Sequence, residues 1–177
     1  MNIAVYCSSR DGLPQPIEDI AVALGQWLSK NGHTLVYGGV HAGLMHTVAQ
    51  TAHDNGAHVV GVVPECFKHR LDKVVDEPVY THDLNDRKAE MYSRSDHFVV
   101  LPGGIGTIDE WIATLSQITV DQSARRIVVM NLDGMYDHTV KQLEASSKSL
   151  FARVGNMLDI SIITTSSQQM IEALETL

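Results

Sequence analysis

The sequence has few cysteines and no long apolar segment. Cys7 and Cys66 are the only cysteines among 177 residues, and their separation does not match a zinc motif. Two isolated thiols are typical of proteins in a reducing compartment. No apolar run approaches the roughly 18 residues of a membrane-spanning helix, and no signal-like segment is present. We therefore expect a cytoplasmic protein with no membrane partner.

Basic residues are also scarce. Lysine and arginine number 13 against 21 aspartates and glutamates, which gives a net charge of −8 and argues against nucleic acid as a partner. The nine histidines are scattered, and no pair has metal-ligand spacing backed by a third ligand. We expect most of them at the surface and no metal site. Residues 1–177 are enough for one domain with a sizeable core.

The most informative stretch is residues 101–110, Leu-Pro-Gly-Gly-Ile-Gly-Thr-Ile-Asp-Glu. The apolar run before it, residues 97–101, predicts a buried strand. After it, Ile108, Trp111 and Leu115 recur at helical spacing. A glycine turn between strand and helix presents free N–H groups and the helix dipole to an anion such as phosphate. A purely structural turn is the alternative that these residues leave open.

Two other turns can converge on the same ligand. Residues 38–43 form a second glycine-rich turn after a predicted strand, and the polar Ser8 and Ser9 follow the first strand. In an open parallel sheet, such turns meet at the carboxyl edge of the strands. Neither glycine turn is a G-x-G-x-x-G fingerprint, and there is no Walker A lysine. An ordinary polar loop remains an equally good interpretation of Ser8 and Ser9.

Strands and helices alternate along the whole chain. Apolar runs predict strands at residues 2–7, 34–37, 59–63, 97–101, 126–130 and 160–164. Amphipathic patterns predict helices between them, including one that starts near Asp83 and others at 136–147 and 168–177. Residues 65–78 are charged and lack periodicity, which favours a mobile excursion over the site. The alternation predicts an α/β fold with a doubly wound, mainly parallel sheet and helices on both faces.

Three motifs together resemble one family. Tyr-Gly-Gly through Gly-Leu-Met at 37–45, the pair Arg87-Lys88, and Pro-Gly-Gly-x-Gly-Thr-x-x-Glu at 102–110 resemble the LOG family of cytokinin riboside 5′-monophosphate phosphoribohydrolases. The resemblance runs from Met1 to the C-terminus and is strongest over residues 86–116. It implies a Rossmann-like fold, a homodimer with sites at or near the subunit interface, and no cofactor. It also implies hydrolysis of a purine nucleoside 5′-monophosphate, such as AMP or its N6-isopentenyl derivative, to free base and ribose 5-phosphate.

The resemblance also implies roles for individual residues. The family's catalytic arginine and glutamate correspond to Arg87 and Glu110. Substrate-binding positions are expected at Lys88, Met91, Gly103, Gly104, Ile105, Gly106, Thr107, Ile108, Asp109 and Ser116, and in the other turns at Ser8, Gly39 and Gly43.

The chain departs from the family in three places. Val40 and His46 stand where the family has glycine, and they could narrow or re-aim the base pocket. Ser116 replaces the usual threonine. Residues 65–86 are divergent and contain no clear equivalent of a substrate-contacting glutamate of the family. These departures concern the identity of the base rather than the glycosidic chemistry.

Departure of a nucleobase from C1′ builds positive charge on the ribose. A carboxylate at Glu110 could stabilise that charge or orient the attacking water, as in inverting glycosidases. Arg87 would bind ribose or phosphate oxygens.

Three other functions compete with this one. A non-catalytic nucleotide- or molybdenum-cofactor-binding protein and a hydrolase of purine monophosphates in general both remain open. Lysine decarboxylation is rejected, because it would normally need a pyridoxal Schiff-base lysine and no lysine lies in a convincing motif. Trp111 and Ile112 could contribute to a dimer interface or could simply pack on the sheet.

Overall fold

A seven-stranded, all-parallel sheet forms the centre of the molecule. The computed structural model describes residues 1–149 and 159–177. The strand order is β4-β3-β2-β1-β5-β6-β7. The strands are β1 Asn2–Tyr6, β2 Thr34–Tyr37, β3 Val59–Pro64, β4 Glu77–Thr81, β5 His97–Val100, β6 Ile127–Met130 and β7 Ser161–Thr164.

Helices cover both faces of this sheet, which confirms the doubly wound arrangement. They are α1 Gln15–Lys30, α2 Gly43–Asp54, α3 Leu84–Ser93, α4 Ile105–Asp121, α5 Asp137–Ser147 and α6 Ser167–Leu174. Alternate residues of each strand point to opposite faces. Ile3 and Val5 therefore pack with α1, α2 and α6, whereas Ala4 and Tyr6 pack with α3, α4 and α5. Within the described ranges, no helix is both long and apolar enough to span a membrane.

The order of the strands reverses at β1. The chain proceeds outward from β1 through β2 to β4, then returns to add β5 on the other side of β1. Such a switch point opens a crevice at the carboxyl ends of the two central strands. The backbone N–H of Ser8, after β1, donates to the carbonyl of Pro102, after β5, over 3.0 Å. The two predicted ligand turns are therefore joined directly.

The prediction failed for one element. Six strands lie within about one residue of the predicted bounds. The seventh, β4, is not predicted, and its first two residues lie in segment 65–78, which we expect to be irregular. β4 is an edge strand that pairs only with β3 among the described strands. It contains Pro78 and has mostly exposed side chains, so it lacks the apolar run that marks a buried strand. The segment also contains a 3-10 helix, Glu65–Arg70.

Trp111 is part of the core. Its side chain is completely buried, and its indole N–H donates to the hydroxyl of Ser161 over 3.1 Å. Its ring also contacts that of Tyr136 at a centroid distance of 5.6 Å. Of the two alternatives for Trp111, packing on the sheet is therefore correct, and this residue is not available to a subunit interface.

Candidate active site

A cavity of about 600 Å³ opens at the carboxyl edge of the sheet. Its walls come from the loop after β1, the turn after β2, the 3-10 helix Glu65–Arg70 and the first turns of α3 and α4. This volume lies in the ordinary range for small-molecule sites. Of the predicted site residues, the cavity brings together Ser8, Gly104, Ile105, Gly106, Thr107, Arg87 and Glu110.

The amino terminus of α4 faces this cavity. Gly104 is the N-cap residue, and no side chain caps the helix. The first N–H groups of a helix have no intrahelical acceptor, so this end offers donors and a positive dipole to an anion. The hydroxyl of Tyr136 stabilises the turn before α4 by donating to the carbonyl of Leu101 over 2.8 Å.

Arg87 and Glu110 form an ion pair within the cavity wall. Nη2 of Arg87 donates to Oε1 of Glu110 over 2.7 Å. The two side chains are only 16% and 11% exposed. Nε of Arg87 is buried and has no hydrogen-bond partner among the described residues. A buried N–H without an acceptor is costly, so the position of Arg87 is not set by stability alone.

The environment of Glu110 acts on its ionisation in two directions. Burial raises the pKa of its carboxyl above the ordinary value, and the Arg87 guanidinium opposes this shift. Of these two effects, burial is the larger. The Glu110 carboxyl therefore holds its proton more tightly than an exposed glutamate does, which makes its carboxylate the stronger base.

Gly38 makes room for Arg87. A Cβ atom at this position would lie 3.2 Å from Nη1 of Arg87 and 2.6 Å from the terminal methyl of Met45. A larger residue would therefore displace the Met45 methyl and crowd the guanidinium. The second glycine turn thus positions a side chain from another helix.

Sequence reasoning missed two arginines of the site. Arg10, in the loop after β1, and Arg70, at the end of the 3-10 helix, both line the cavity. Together with Arg87 they give the cavity three cations against one anion, Glu110, in a chain whose net charge is −8. Arg10 directly follows Ser8 and Ser9 in the loop predicted to face the ligand, so its position in the sequence could have identified it as a site residue. Arg70 lies in the segment that has no recognisable pattern.

Several predicted contacts lie outside the cavity lining. Lys88 and Asp109 bind each other over 2.8 Å, and Lys88 borders a smaller cavity of about 330 Å³ between α3 and α4. Met91 is completely buried in the core, and Ser116 is exposed about three turns from the cavity end of α4. The remaining residues outside the lining are Gly39, Gly43, Gly103 and Ile108.

Gly43 acts on the site indirectly. Its N–H donates to Asp11 over 2.8 Å, and an added Cβ would collide with the backbone carbonyl of Arg10. Because Gly43 has no side chain, the start of α2 can pack closely against the loop that carries Arg10.

The two departures from the family motif have different surroundings. Val40 is buried and lines the cavity, so it can narrow the pocket as expected. His46 does not line it; its Nδ1 lies 2.8 Å from Oδ2 of Asp72. Asp72 also approaches His41, so the expectation that no third ligand accompanies a pair of histidines is wrong.

Cys7 lines the cavity but is a poor nucleophile. Burial raises the pKa of its thiol, and the Glu110 carboxylate raises it further. The thiol therefore stays protonated, whereas the thiolate is the reactive form.

Comparison with known proteins identifies the family of this chain. A family model described as possible lysine decarboxylase matches residues 45–174. A cytokinin riboside 5′-monophosphate phosphoribohydrolase of Arabidopsis thaliana is 33% identical over 175 residues, which cover 98% of this chain and 81% of that protein. The chain belongs to the LOG family. A probable member from Oryza sativa subsp. japonica is 32% identical over 98% of this chain and 71% of its own length.

Solved structures with the same fold include proteins of another function. A molybdenum cofactor binding protein from Rippkaea orientalis superimposes with a TM-score of 0.78 at 22% identity, covering 99% of this chain and 95% of that one. The molybdenum cofactor carrier protein of Chlamydomonas reinhardtii gives 0.77 at 19% identity, with coverage of 99% and 96%. At this level of identity, the likeness shows that the LOG family chain shares their Rossmann-like fold.

The description of the family as possible lysine decarboxylase does not fit the cavity of this LOG family chain. Pyridoxal chemistry uses a lysine that forms a Schiff base with the cofactor. None of the described residues that line the cavity is a lysine, and the nearby Lys88 is paired with Asp109. The site instead combines an anion-binding helix terminus with a buried carboxylate–guanidinium pair.

Proposed function

We propose that this chain hydrolyses the N-glycosidic bond of purine nucleoside 5′-monophosphates, including N6-modified ones. Water adds at C1′ while the C1′–N bond breaks, and the products are free base and ribose 5-phosphate. The observation that carries the proposal is the Arg87–Glu110 pair, 2.7 Å long and buried beside the amino terminus of α4. The names of the relatives, which are phosphoribohydrolases of cytokinin riboside monophosphates, support the same reaction.

The 5′-phosphate is assigned to the turn at the start of α4. The helix terminus supplies N–H donors there, and Arg10 and Arg70 add two charged donors to the lining of the same cavity. An arginine can bind two phosphate oxygens at once. Binding energy from this non-reacting group would hold the ribose in register for the chemical step.

Glu110 is assigned to the ribose. In the transition state C1′ carries positive charge, and a buried carboxylate stabilises such charge more strongly than water does. It could also orient the attacking water and accept its proton. Arg87 would favour the ionised form of Glu110 and, through its guanidinium in the cavity wall, bind a sugar or phosphate oxygen.

The proposal includes a homodimer. Two apolar side chains of the cavity lining, Ile105 and Leu84, are 83% and 49% exposed. Exposed apolar residues at the rim of a site are suited to contact either the base or a second subunit. Light scattering at micromolar concentration tests the assembly, and a monomeric mass would contradict this part of the proposal.

The reaction is tested by incubating the protein with AMP, N6-isopentenyl-AMP and the two corresponding nucleosides. Chromatography measures the free base, and ribose 5-phosphate is measured separately. We expect release from the monophosphates and much slower release from the nucleosides. Equal rates would contradict the phosphate assignment. Tight binding of AMP without any hydrolysis would favour the alternative, a non-catalytic nucleotide- or molybdenum-cofactor-binding protein.

A further inference from the structure

Three metal-ligating side chains meet beside the second glycine turn. His41 lies in the turn after β2, His46 in the first turn of α2, and Asp72 between the 3-10 helix and β4. One donor atom from each lies within 4.8 Å of the others. The imidazole rings of the two histidines are adjacent, with centroids 3.8 Å apart.

Backbone contacts hold Asp72 in this position. Its N–H donates to the carbonyl of Gly39 over 2.9 Å, and Leu71 forms an antiparallel bridge with Val40. The N–H of His41 donates to the carbonyl of Arg70 over 3.0 Å. The cluster is thus built on a network between two segments that are about 30 residues apart.

The Asp72 carboxylate is buried without a permanent cation. Its side chain is 1% exposed, and its only ion-pair partners among the described residues are His41 and His46. Burying a carboxylate is unfavourable unless a cation compensates its charge.

Each histidine approaches one oxygen of the Asp72 carboxylate. Oδ2 of Asp72 lies 2.8 Å from Nδ1 of His46, and Oδ1 lies 3.4 Å from Nδ1 of His41. Bonds of about 2.0–2.1 Å to a tetrahedral zinc ion separate its ligand atoms by about 3.3 Å. Small side-chain movements would therefore replace the hydrogen bond between His46 and Asp72 by bonds from both residues to one metal ion.

We propose that His41, His46 and Asp72 bind a divalent transition metal ion, with Zn²⁺ as the best match. Two imidazoles and one carboxylate are the donor types that zinc prefers, whereas magnesium and calcium prefer oxygen ligands. Water completes the coordination. The ion links the glycine turn and α2 to the segment that brings Phe67 and Arg70 to the cavity wall. This role is structural and does not depend on the proposed hydrolysis.

The test uses the full chain after treatment with a chelator. Titration calorimetry with zinc chloride should give one site per chain, and Co²⁺ should give the visible absorption of a low-symmetry site. His41→Ala and His46→Ala should each weaken Zn²⁺ binding tenfold or more. Zn²⁺ should raise the melting temperature of the parent and not that of the His41→Ala, His46→Ala double variant.

Two variants serve as matched controls. His82→Ala disrupts an exposed group of possible ligands, His82, Asp83 and Asp86, and His138→Ala removes an exposed histidine on α5. Both should bind Zn²⁺ like the parent. The proposal is overturned if the parent takes up no Zn²⁺, if the double variant binds it equally well, or if His82→Ala abolishes the binding. Because His41 is largely exposed, His41→Ala should fold. This variant therefore keeps the test decisive even if His46→Ala fails to fold.

Discussion

Nη2 of Arg87 lies 2.7 Å from Oε1 of Glu110 although the two residues are 23 positions apart. Their neighbours in sequence also pair: Lys88, which follows Arg87, lies 2.8 Å from Asp109, which precedes Glu110. These two ion pairs tie α3 to α4. The inner pair lines the cavity, whereas Asp109 of the outer pair is 58% exposed. Surface pairs contribute little to stability, so we assign the chemistry to the buried inner pair.

Replacement of Glu110 by glutamine should abolish most of the turnover. Glutamine keeps the shape and an oxygen acceptor for Arg87 but removes the negative charge that the transition state needs. We expect kcat to fall on the order of a hundredfold or more, while AMP affinity measured by calorimetry stays the same or rises. Glu90→Gln is the control, because Glu90 also accepts from an arginine, Arg94, but outside the cavity. Hydrolysis by Glu110→Gln at the parent rate would contradict the role proposed for the Glu110 carboxylate.

Replacement of Arg87 by alanine should reduce both binding and turnover. The guanidinium would serve the ground state and the transition state alike, so kcat/KM should fall more than kcat. The variant also leaves Glu110 buried without its cation, which should lower the free energy of unfolding by a few kcal/mol. Steady-state kinetics and urea titration measure the two effects. Arg94→Ala, which removes exposed pairs with Glu90 and Glu77, should leave kcat/KM unchanged; a similar loss there would show that the effect is not specific to the cavity.

The glycines of the central turn should respond differently to alanine. At Gly103 an added Cβ would collide with the Thr107 side chain, which is buried, so Gly103→Ala should destabilise the fold. At Gly106 nothing lies within 4 Å. Gly106→Ala should therefore retain stability or gain up to about 1 kcal/mol from helix propensity, yet weaken nucleotide binding because the methyl group keeps the phosphate from the N–H groups. Urea titration and calorimetry separate these effects; unchanged nucleotide affinity in Gly106→Ala would place the phosphate elsewhere.

The pH dependence should report the ionisation of Glu110. Burial raises the pKa of this carboxyl and Arg87 opposes the shift, so hydrolysis should be lost as pH falls through a value above that of an exposed glutamate. Arg87→Gln should move this inflection to still higher pH, whereas Arg94→Gln should not. The Glu110 carboxyl can be titrated directly by ¹³C NMR, and a pKa below the ordinary value would contradict the prediction.

The same shift has a consequence for stability. The unfolded chain releases the Glu110 proton at lower pH than the folded chain does, so the folded chain binds more protons in between. The contribution to stability is present below the unfolded pKa and is lost as pH rises through the folded pKa. Glu110→Gln should remove this component from the pH dependence of the urea midpoint. An unchanged pH dependence would mean that Glu110 does not carry the shift.

Local sequence determined most of the secondary structure. Apolar runs such as residues 97–100 form strands because they can be buried on both faces of a parallel sheet, and the glycine turns stop them. The same reasoning failed for β4, where the exposed Pro78 and Tyr80 of an edge strand leave no apolar pattern. The motifs at 87–88 and 102–110 were enough to identify the family, since they combine a specific order of residues with an anion-binding turn.

Only the tertiary structure decided which of these residues share a site. Helical periodicity could not tell that Arg87 turns toward the cavity while its neighbour Lys88 turns to Asp109, because that depends on how α3 and α4 pack on the sheet. Nor could it place Arg70 on the cavity wall or Asp72 between two histidines, because those contacts join segments far apart in the chain. Sequence fixes the local elements through short-range forces. The switch point between β1 and β5 and the packing around it then bring distant charges together.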